Sequence, residues 1–380
     1  MKEPPLSLYV HLPWCVRKCP YCDFNSFAFS GSFPESEYVA ALGRDLRSQA
    51  ASVGSRRVQT IFFGGGTPSL FAPASIAAII GIAAREFSLA PDAEITLEAN
   101  PGTIERGAFS GYRAAGVNRV SLGGQSFVPE QLRRLGRIHE ADDTRTAAHE
   151  LHSAGIPNFN IDLMYGLPDQ TINDAVRDVE QALALAPSHI SHYQLTLEPG
   201  TVFAALPPAP PLDDTLDQLD ACAPVLKRHG FERYEISAYA AAGARARHNL
   251  NYWLFADYLG VGAGAHGKLT NFASGEIVRT VRPREPRRYM ADPGARIDEI
   301  RIRPEDRPFE FMLNALRLVE GFDAGLFEER TGLGWEGIAR VMGELRSDGL
   351  LTNQGRSWRA SERGLLFLND LLTRFIPDRP

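Results

Sequence analysis

Three cysteines stand close together near the N-terminus, in the segment Tyr9 to Phe27 with the sequence YVHLPWCVRKCPYCDFNSF. Cys15, Cys19 and Cys22 follow the spacing C-x3-C-x2-C, at the end of a run that is typical of a strand. Thiolates are the usual ligands of iron–sulfur clusters, and a compact loop can bring three of them to three corners of a [4Fe-4S] cube. One iron would then lack a protein thiolate. The spacing therefore indicates a cluster with one iron open to a small molecule.

Two other interpretations of the cysteines remain open on spacing alone. A zinc site is one, although zinc knuckles usually supply four ligands as two spaced pairs, and a fourth ligand would here have to come from far along the chain. Three ordinary buried thiols are the other. Arg17, Lys18, Pro20 and Asp23 argue against it, because they make this a polar loop rather than a core segment.

The residues around the cysteines resemble a known family. An aromatic residue, Tyr21, precedes the last cysteine, within the segments YVHLPWC and CPYCDF. On these residues the chain resembles the radical S-adenosylmethionine (SAM) superfamily, in the branch that holds the oxygen-independent coproporphyrinogen III oxidases and the HemW heme chaperones. The resemblance implies that SAM binds the open iron through its amino and carboxylate groups. It also implies that an electron from the cluster cleaves SAM to a 5′-deoxyadenosyl radical.

Length and composition set limits on the fold and the compartment. A chain of 380 residues with 44% hydrophobic content is long enough for one domain of about 250 residues and a smaller one. The net charge of −6 gives no support for a nucleic-acid partner. An air-sensitive cluster needs a reducing compartment, so we expect the cytoplasm. No apolar run approaches about 20 residues, so any membrane contact is expected to be peripheral.

Strand and helix signals alternate through the first two thirds of the chain. The predicted strands are Leu6 to His11, Val58 to Phe63, Ile95 to Ala99, Arg119 to Leu122, Phe159 to Tyr165 and Ile190 to Leu197. The predicted helices between them are Glu35 to Ala51, Pro73 to Phe87, Ile104 to Ala115, Asp142 to Ala154 and Ile172 to Ala186. This alternation predicts an α/β fold with a parallel sheet, which periodicity alone leaves as an open barrel or a doubly wound sheet. The six units match the partial (β/α)6 barrel that the resemblance implies.

Polar or glycine-rich motifs follow the predicted strands, which favours one active-site face at the carboxyl ends of barrel strands. After the second strand comes Gly64 to Pro68, GGGTP, where the missing β-carbons allow the backbone to approach a ligand. A tight strand-to-helix turn is the ordinary alternative. The resemblance implies instead the radical SAM glycine motif, which contacts the SAM amino group.

The resemblance also implies a set of SAM contacts at matching positions. These are Tyr9, Gly65, Gly66, Thr67, Glu98, Gln125, Arg137 and Asp162, with Tyr21 and Thr196 as further members. The residue types suit the ligand, because carboxylates accept from ribose hydroxyls or an ammonium and Arg137 can pair with a carboxylate. Taken singly, each residue is better explained as an ordinary capping or surface residue.

A second informative stretch is Arg247 to Trp253, RHNLNYW. Its matches to the HNxxYW motif of the HemW group are His248, Asn249, Tyr252 and Trp253. Imidazole can ligate heme iron and flat rings can pack on the macrocycle, so the resemblance implies heme contact by His248. The alternative is a buried histidine with its hydrogen bonds satisfied. His266, in the small-residue loop Gly260 to Gly267, is a candidate second ligand that the spacing does not compel.

The domain prediction places a barrel domain with its connecting segments at residues 1–275, a linker at 276–307 and a C-terminal domain at 308–380. Residues 207–211, PPAPP, predict an extended connector within the first. Three predicted helices, a hairpin at Leu350 to Ala360 and a last helix at Glu362 to Phe375 suggest a winged-helix-like module. Residues 305–380 carry 13 acidic and 10 basic side chains, so a lid or partner-docking role is favoured over DNA binding.

Two functions follow from the resemblance, a heme chaperone and a coproporphyrinogen III oxidase that converts its substrate to protoporphyrinogen IX. The oxidases carry a further cysteine two positions after the third cluster ligand, where this chain has Phe24. This difference favours the chaperone and leaves enzymatic activity undecided. The implied cofactors are a [4Fe-4S] cluster, SAM and heme, and the implied partners are heme or a porphyrinogen and membrane-bound respiratory proteins. The sequence leaves a homodimer open.

Overall fold

The structure is a computed structural model and describes residues 1–103, 108–205, 212–295 and 298–377. The strands are β1 Leu6–Leu12, β2 Trp14–Cys15, β3 Phe27–Ala28, β4 Arg57–Gly65, β5 Ser88–Ala99, β6 Arg119–Gln125, β7 Phe159–Tyr165, β8 His189–Gln194, β9 Glu232–Glu235, β10 Ala238–Ala240, β11 Asp257–Val261, β12 His266–Asn271, β13 Glu276–Val281, β14 Asp298–Arg301, β15 Phe322–Asp323, β16 Leu351–Gln354 and β17 Ser357–Ala360. The helices are α1 Glu35–Val53, α2 Pro73–Glu86, α3 Ala108–Ala115, α4 Pro129–Arg134, α5 Ala141–Ser153, α6 Ile172–Leu183, α7 Leu212–Arg228, α8 Arg247–Trp253, α9 Pro286–Ala291, α10 Arg307–Ala315, α11 Ala324–Thr331, α12 Glu336–Ser347, α13 Glu362–Leu366 and α14 Leu368–Thr373.

One twelve-stranded sheet dominates the described residues, in the order β14-β13-β12-β11-β1-β4-β5-β6-β7-β8-β10-β9. Strands β1 and β4 to β8 are neighbours in chain order, and every pair among them is parallel. A doubly wound sheet would reverse its strand order at a switch point, whereas this order does not. The prediction of a partial (β/α)6 barrel is therefore confirmed, and β11 extends it by pairing parallel to β1 on the other side.

The barrel core consists of apolar side chains on the parallel strands and on the helices that cover them. Leu8, Val10, Ile61, Phe63 and Leu97 have no exposed surface. Strands of a parallel sheet are covered on both faces, which explains why β1 is buried along nearly its whole length. Burial of a large aliphatic or aromatic side chain contributes roughly 1.5–3 kcal/mol, so these strands contribute much of the stability of the barrel.

The predicted strand and helix positions agree with the observed ones in the barrel, and the differences concern short elements. Helix α4 and strands β11 to β14 were not expected, and β9 and β10 form a further hairpin. The segment 276–307, predicted to be a linker, contains β13, α9 and β14, of which the strands belong to the large sheet. Residues 104–107 of a predicted helix and the connector 207–211 lie outside the described residues. The division into domains at 275 and 308 stays a prediction.

The C-terminal part has a second core around a small sheet of order β15-β17-β16. Helices α10 to α12 pack on it through Phe311, Phe327 and Trp335, which contact one another edge to face. Three helices and a hairpin make the winged-helix-like arrangement that the sequence predicted. The predicted last helix is divided at Phe367 into α13 and α14. The module contacts the barrel where the Arg317 guanidinium lies 4.3 Å from the centre of the Trp253 ring.

A buried ionic cluster at Asp257 fixes β11 against its neighbours. The Asp257 carboxylate accepts from Arg56 Nη1 at 2.8 Å, from Lys268 Nζ at 2.9 Å and from Thr270 Oγ1 at 2.8 Å. Asp257 is fully buried and Lys268 nearly so. A buried charge is tolerated only when it is paired and hydrogen-bonded, so this carboxylate balances two buried cations.

We expect Asp257→Ala to lower the free energy of unfolding by about 3–5 kcal/mol, because it leaves Lys268 and Arg56 buried without a counter-charge. Asp142→Ala is the matched control, since Asp142 pairs with Arg145 while 91% exposed. It is expected to cost less than about 1 kcal/mol. Urea unfolding followed by circular dichroism measures both, and similar losses for the two variants would contradict the role of the cluster.

Candidate cofactor site

The cysteine loop lies at the carboxyl end of the barrel strands, where Cys15, Cys19 and Cys22 line one cavity. The loop is anchored because β2, which contains Cys15, pairs with β3 on its far side. Within the loop, the Cys22 amide donates to the Cys19 carbonyl at 3.1 Å. Lys18 Nζ donates to the Phe24 carbonyl at 2.9 Å. The chain therefore presents three thiols around the space they share.

The three thiols surround this cavity rather than converging on a point. Across the described ranges, no three His, Cys, Asp or Glu side chains are arranged to hold one metal ion. Burial raises the pKa of Cys15 and Cys22, so both are neutral thiols at pH 7 before metal binds. Metal binding must then displace their protons, which makes cluster loading favourable at higher pH.

The glycine turn after β4 is hydrogen-bonded to the segment that leads into the cysteine loop. Gly66 N donates to Leu12 O and Thr67 N to Trp14 O, both at 2.8 Å. A β-carbon at Gly66 would lie 2.5 Å from Trp14 O, and Gly65 has a φ of +117° with the His11 ring 2.5 Å from the position of its β-carbon. Only glycine fits these two positions. The turn therefore supports a close backbone approach to the cysteine loop.

Glu98 and Asp162 place two carboxylates inside the barrel, facing the same cavity. Glu98 Oε2 accepts from Gly65 N at 3.2 Å, and Asp162 accepts from Asn160 Nδ2 at 2.7 Å. Burial, with the nearby Asp162, raises the pKa of Glu98 to about 8. Burial raises the pKa of Asp162 as well. Within the described residues neither carboxylate forms an ion pair, so a positively charged ligand would be stabilised between them.

Arg137 and Gln125 form the opposite side of the cavity. Arg137 Nη2 donates to Gly123 O at 2.7 Å and Nη1 to Cys19 Sγ at 3.7 Å. Its buried Nε has no hydrogen-bond partner among the described residues. Gln125 has a φ of +67°, and its Oε1 accepts from Tyr193 Oη at 2.6 Å. A guanidinium with a free buried N–H can bind an incoming carboxylate. The donors and acceptors of the cavity thus suit an amino acid-like ligand.

Sequence reasoning missed the polar layer beneath these residues. Ser121 Oγ donates to Asp162 Oδ2 at 3.2 Å, and Ser191 Oγ donates to Asn160 Oδ1 at 3.1 Å. Asn160 also contacts His189 Nδ1 at 2.7 Å. The available signal was the period-two spacing of polar residues on three neighbouring strands, Ser121 to Gln125, Asn160 to Asp162 and His189 to Tyr193. On parallel strands such positions share one face and point into the barrel.

Comparisons with known proteins agree with this geometry. The model of the radical SAM superfamily matches residues 9–182, and the model of the HemN C-terminal domain matches residues 302–367. The heme chaperone HemW of Escherichia coli is 48% identical over all of this chain and all of its own. The chain belongs to the HemW family of radical SAM proteins. This family membership implies a [4Fe-4S] cluster and SAM.

One further sequence relative and one solved structure are also similar to this chain. The bovine mitochondrial radical S-adenosyl methionine domain-containing protein 1 is 35% identical over 96% of this chain and 86% of its own length. The structure of the coproporphyrinogen III oxidase HemN of Escherichia coli superposes with a TM-score of 0.81, covering 98% of this chain and 90% of that one. Its sequence identity is 23%, so this likeness shows the shared fold alone.

The other sequence-predicted SAM contacts of this HemW-family chain occupy different places. Tyr21, Gly65, Gly66, Thr67 and Gln125 line the cysteine cavity. Tyr9 lines an adjoining cavity instead, with its hydroxyl 3.0 Å from His11 Nδ1. Thr196 is exposed beyond the end of β8 and is not among the lining residues of either cavity. Their contact with SAM stays a prediction.

His248, the predicted heme contact of the HemW-family motif, is 2% exposed on α8. Its Nδ1 lies 2.7 Å from Thr60 Oγ1 and its Nε2 lies 3.1 Å from Tyr252 Oη. The ring also stacks on Phe62 at 4.9 Å. Burial lowers the pKa of His248 to about 3, so the ring is neutral. The geometry matches the alternative of a buried histidine with both nitrogens satisfied.

We expect Cys22→Ser to abolish retention of the cluster after anaerobic reconstitution, because the loop then offers two thiolates. Iron and acid-labile sulfide content, with the visible absorbance, measure this. Cys222→Ser is the matched control, since Cys222 is buried on α7 and does not line the cavity. A Cys22→Ser protein with the iron content of the wild type would remove this cysteine from the site.

Proposed function

We propose that this chain is a heme chaperone, which binds heme and passes it to acceptor proteins while holding a [4Fe-4S] cluster and SAM in its barrel. The observation that carries the proposal is the full-length similarity, at 48% identity, to a protein named as a heme chaperone. A similarity that extends over the whole chain includes the barrel cavity and the C-terminal module. Function must still be argued from the residues of the site.

The cofactor part of the proposal rests on the cavity at the cysteine loop. Cys15, Cys19 and Cys22 would hold the cluster, and the cluster together with SAM would supply radical chemistry at this cavity. Arg137 would bind the SAM carboxylate through its Nε–H, which has no partner within the described part of the chain. Glu98 and Asp162 stabilise the positive charge of the ligand and accept from its hydrogen-bond donors. The glycine turn leaves room for the ligand to reach the cluster.

The alternative is an oxygen-independent coproporphyrinogen III oxidase, and the fold is compatible with it. The difference lies at Phe24, which is 62% exposed and lines the mouth of the cofactor cavity. An aromatic ring cannot do the chemistry of the thiol that the oxidases carry at this position. Phe24 instead presents an apolar surface to any large flat ligand, which supports binding of a tetrapyrrole rather than turnover of one.

The delivery part of the proposal concerns partners and location. Among the described helices, none is long and apolar enough to span a bilayer. We propose membrane-bound respiratory proteins as heme acceptors, a cytoplasmic location and peripheral contact with the membrane. The C-terminal module is the proposed docking element, since its charge does not suit nucleic acid. A homodimer is consistent with this proposal.

We expect anaerobically reconstituted protein to bind about one heme per chain and to lose it to an added apo-acceptor, because the chaperone role needs reversible binding. Absorbance titration followed by a transfer assay measures both steps. In parallel, coproporphyrinogen III with SAM and a reductant is expected to give no sustained formation of protoporphyrinogen.

The outcomes separate the two functions. Repeated turnover of coproporphyrinogen would replace the chaperone assignment by the oxidase. Absence of heme binding in a cluster-loaded sample would remove the chaperone assignment as well. Cleavage of SAM alone does not discriminate, since both classes are compatible with it.

We expect SAM binding to release a proton through Glu98. The pKa of this group is about 8 in the free protein, so it is mostly protonated at pH 7, and a cationic ligand lowers that pKa. Apparent affinity then rises with pH, by up to about tenfold per unit below pH 8, and levels off above it. Calorimetry of the cluster-loaded protein in buffers of different ionisation enthalpy measures the released proton.

Glu98→Gln is the test variant, because it keeps the shape of the side chain and removes the titrating group. Its proton release should be smaller than that of the wild type by the contribution of one group. Glu140→Gln, an exposed change at the start of α5, is the control and should behave as wild type. Identical pH dependence of wild type and Glu98→Gln would contradict the assignment.

A further inference from the structure

A second cavity of about 470 Å³ opens beside the cofactor cavity, within the roughly 300–1,000 Å³ range of small-molecule pockets. The two cavities share Phe24, Gly65 and Glu98 in their walls. A ligand in the second cavity would therefore lie next to the SAM position while occupying its own space. The cofactor assignment above leaves this space unused.

One side of the second cavity carries a histidine with free nitrogens. His266 begins β12 and is exposed to the cavity, and its ring makes no hydrogen bond within the described residues. Burial, together with Arg279 and Arg284, lowers the pKa of His266, so the ring is neutral and has a lone pair at pH 7. The other nearby histidines differ. His11 uses both nitrogens, on Tyr9 and Asn25, and His248 uses both as well.

The remaining walls suit a flat ligand with acidic side chains. Tyr252 and Tyr258 pack edge to face with ring centres 4.5 Å apart, and both line the cavity. Exposed Phe24 adds an apolar surface at the shared mouth. Arg284 lies at the rim, with a 3.4 Å hydrogen bond to Asn25 Oδ1 and no ion pair in the described part of the chain. Its guanidinium is therefore available to a carboxylate.

We propose that this second cavity holds the iron tetrapyrrole, with His266 as an axial ligand of the iron and Arg284 paired with a propionate. The proposal rests on the heme-binding function and adds the place and the contacts. A neutral imidazole ligates heme iron, and tyrosine and phenylalanine rings pack on the macrocycle. His248 is then a positioning residue, because its Nε2 holds the Tyr252 hydroxyl that forms part of the wall.

The test titrates the full, cluster-loaded chain with two probes, iron(III) heme and metal-free protoporphyrin IX. His266→Ala is expected to weaken heme binding by about 10- to 100-fold, since even groups that only orient a metal ligand contribute on that scale. It should change the Soret and EPR spectra and leave the affinity for metal-free porphyrin unchanged. Added imidazole should restore the spectrum. Arg284→Ala should weaken the binding of both probes by about two- to fivefold, which is the scale of an exposed ion pair.

His149→Ala is the matched control, an exposed histidine on α5 that lines neither cavity. Wild-type spectra and affinity in His266→Ala, with heme still bound, would overturn the site while leaving the chaperone function standing. A wild type that binds no heme would overturn the function itself. An equal loss of affinity for both probes in His266→Ala, without rescue by imidazole, would show a structural effect. It would overturn the role of His266 as a ligand.

Discussion

The site depends on the backbone hydrogen bonds between the glycine turn and the segment Leu12 to Trp14. Two amide hydrogen bonds, from Gly66 to Leu12 and from Thr67 to Trp14, tie the cysteine loop to the barrel wall. These hydrogen bonds can form because Gly66 has no β-carbon to separate the two segments. Thr67 adds a bond from its hydroxyl to Cys15 Sγ at 3.4 Å. The loop, the turn and the barrel thus behave as one unit, so the thiols are placed by backbone geometry.

The barrel interior is polar where most barrels of this size are filled with branched apolar residues. Glu98 and Asp162 lie beside one another, and neither forms an ion pair within the described residues. Asn160, Ser121 and Ser191 donate to Asp162, and Gly65 N donates to Glu98. A protein keeps such a costly arrangement when a bound ligand completes it. The cost of burying these polar groups is offset by a hydrogen-bond network anchored in three strands.

Much of the barrel could be predicted from the sequence, because buried parallel strands and amphipathic helices leave strong periodic signals. The short antiparallel strands β12 to β14 could not, since charged residues such as Arg279 in β13 interrupt their apolar pattern. Arg282, which follows β13, is buried in an ion pair with Asp45. The cysteine loop was identified by spacing. The hydrogen-bond partners of His248 could not be predicted from the sequence. A histidine beside aromatic residues has the same sequence pattern whether its nitrogens face a cavity or a neighbouring hydroxyl.

The neighbouring rings of α8 point in different directions. Tyr252 lines the second cavity, while Trp253 packs under the Arg317 guanidinium of the C-terminal module. Both side chains leave one short helix, so a movement that shifts the first must shift the second. Binding free energies linked in this way are reciprocal. Under the proposals above, we expect a ligand in the second cavity and a partner bound to the C-terminal module to affect each other's affinity through helix α8.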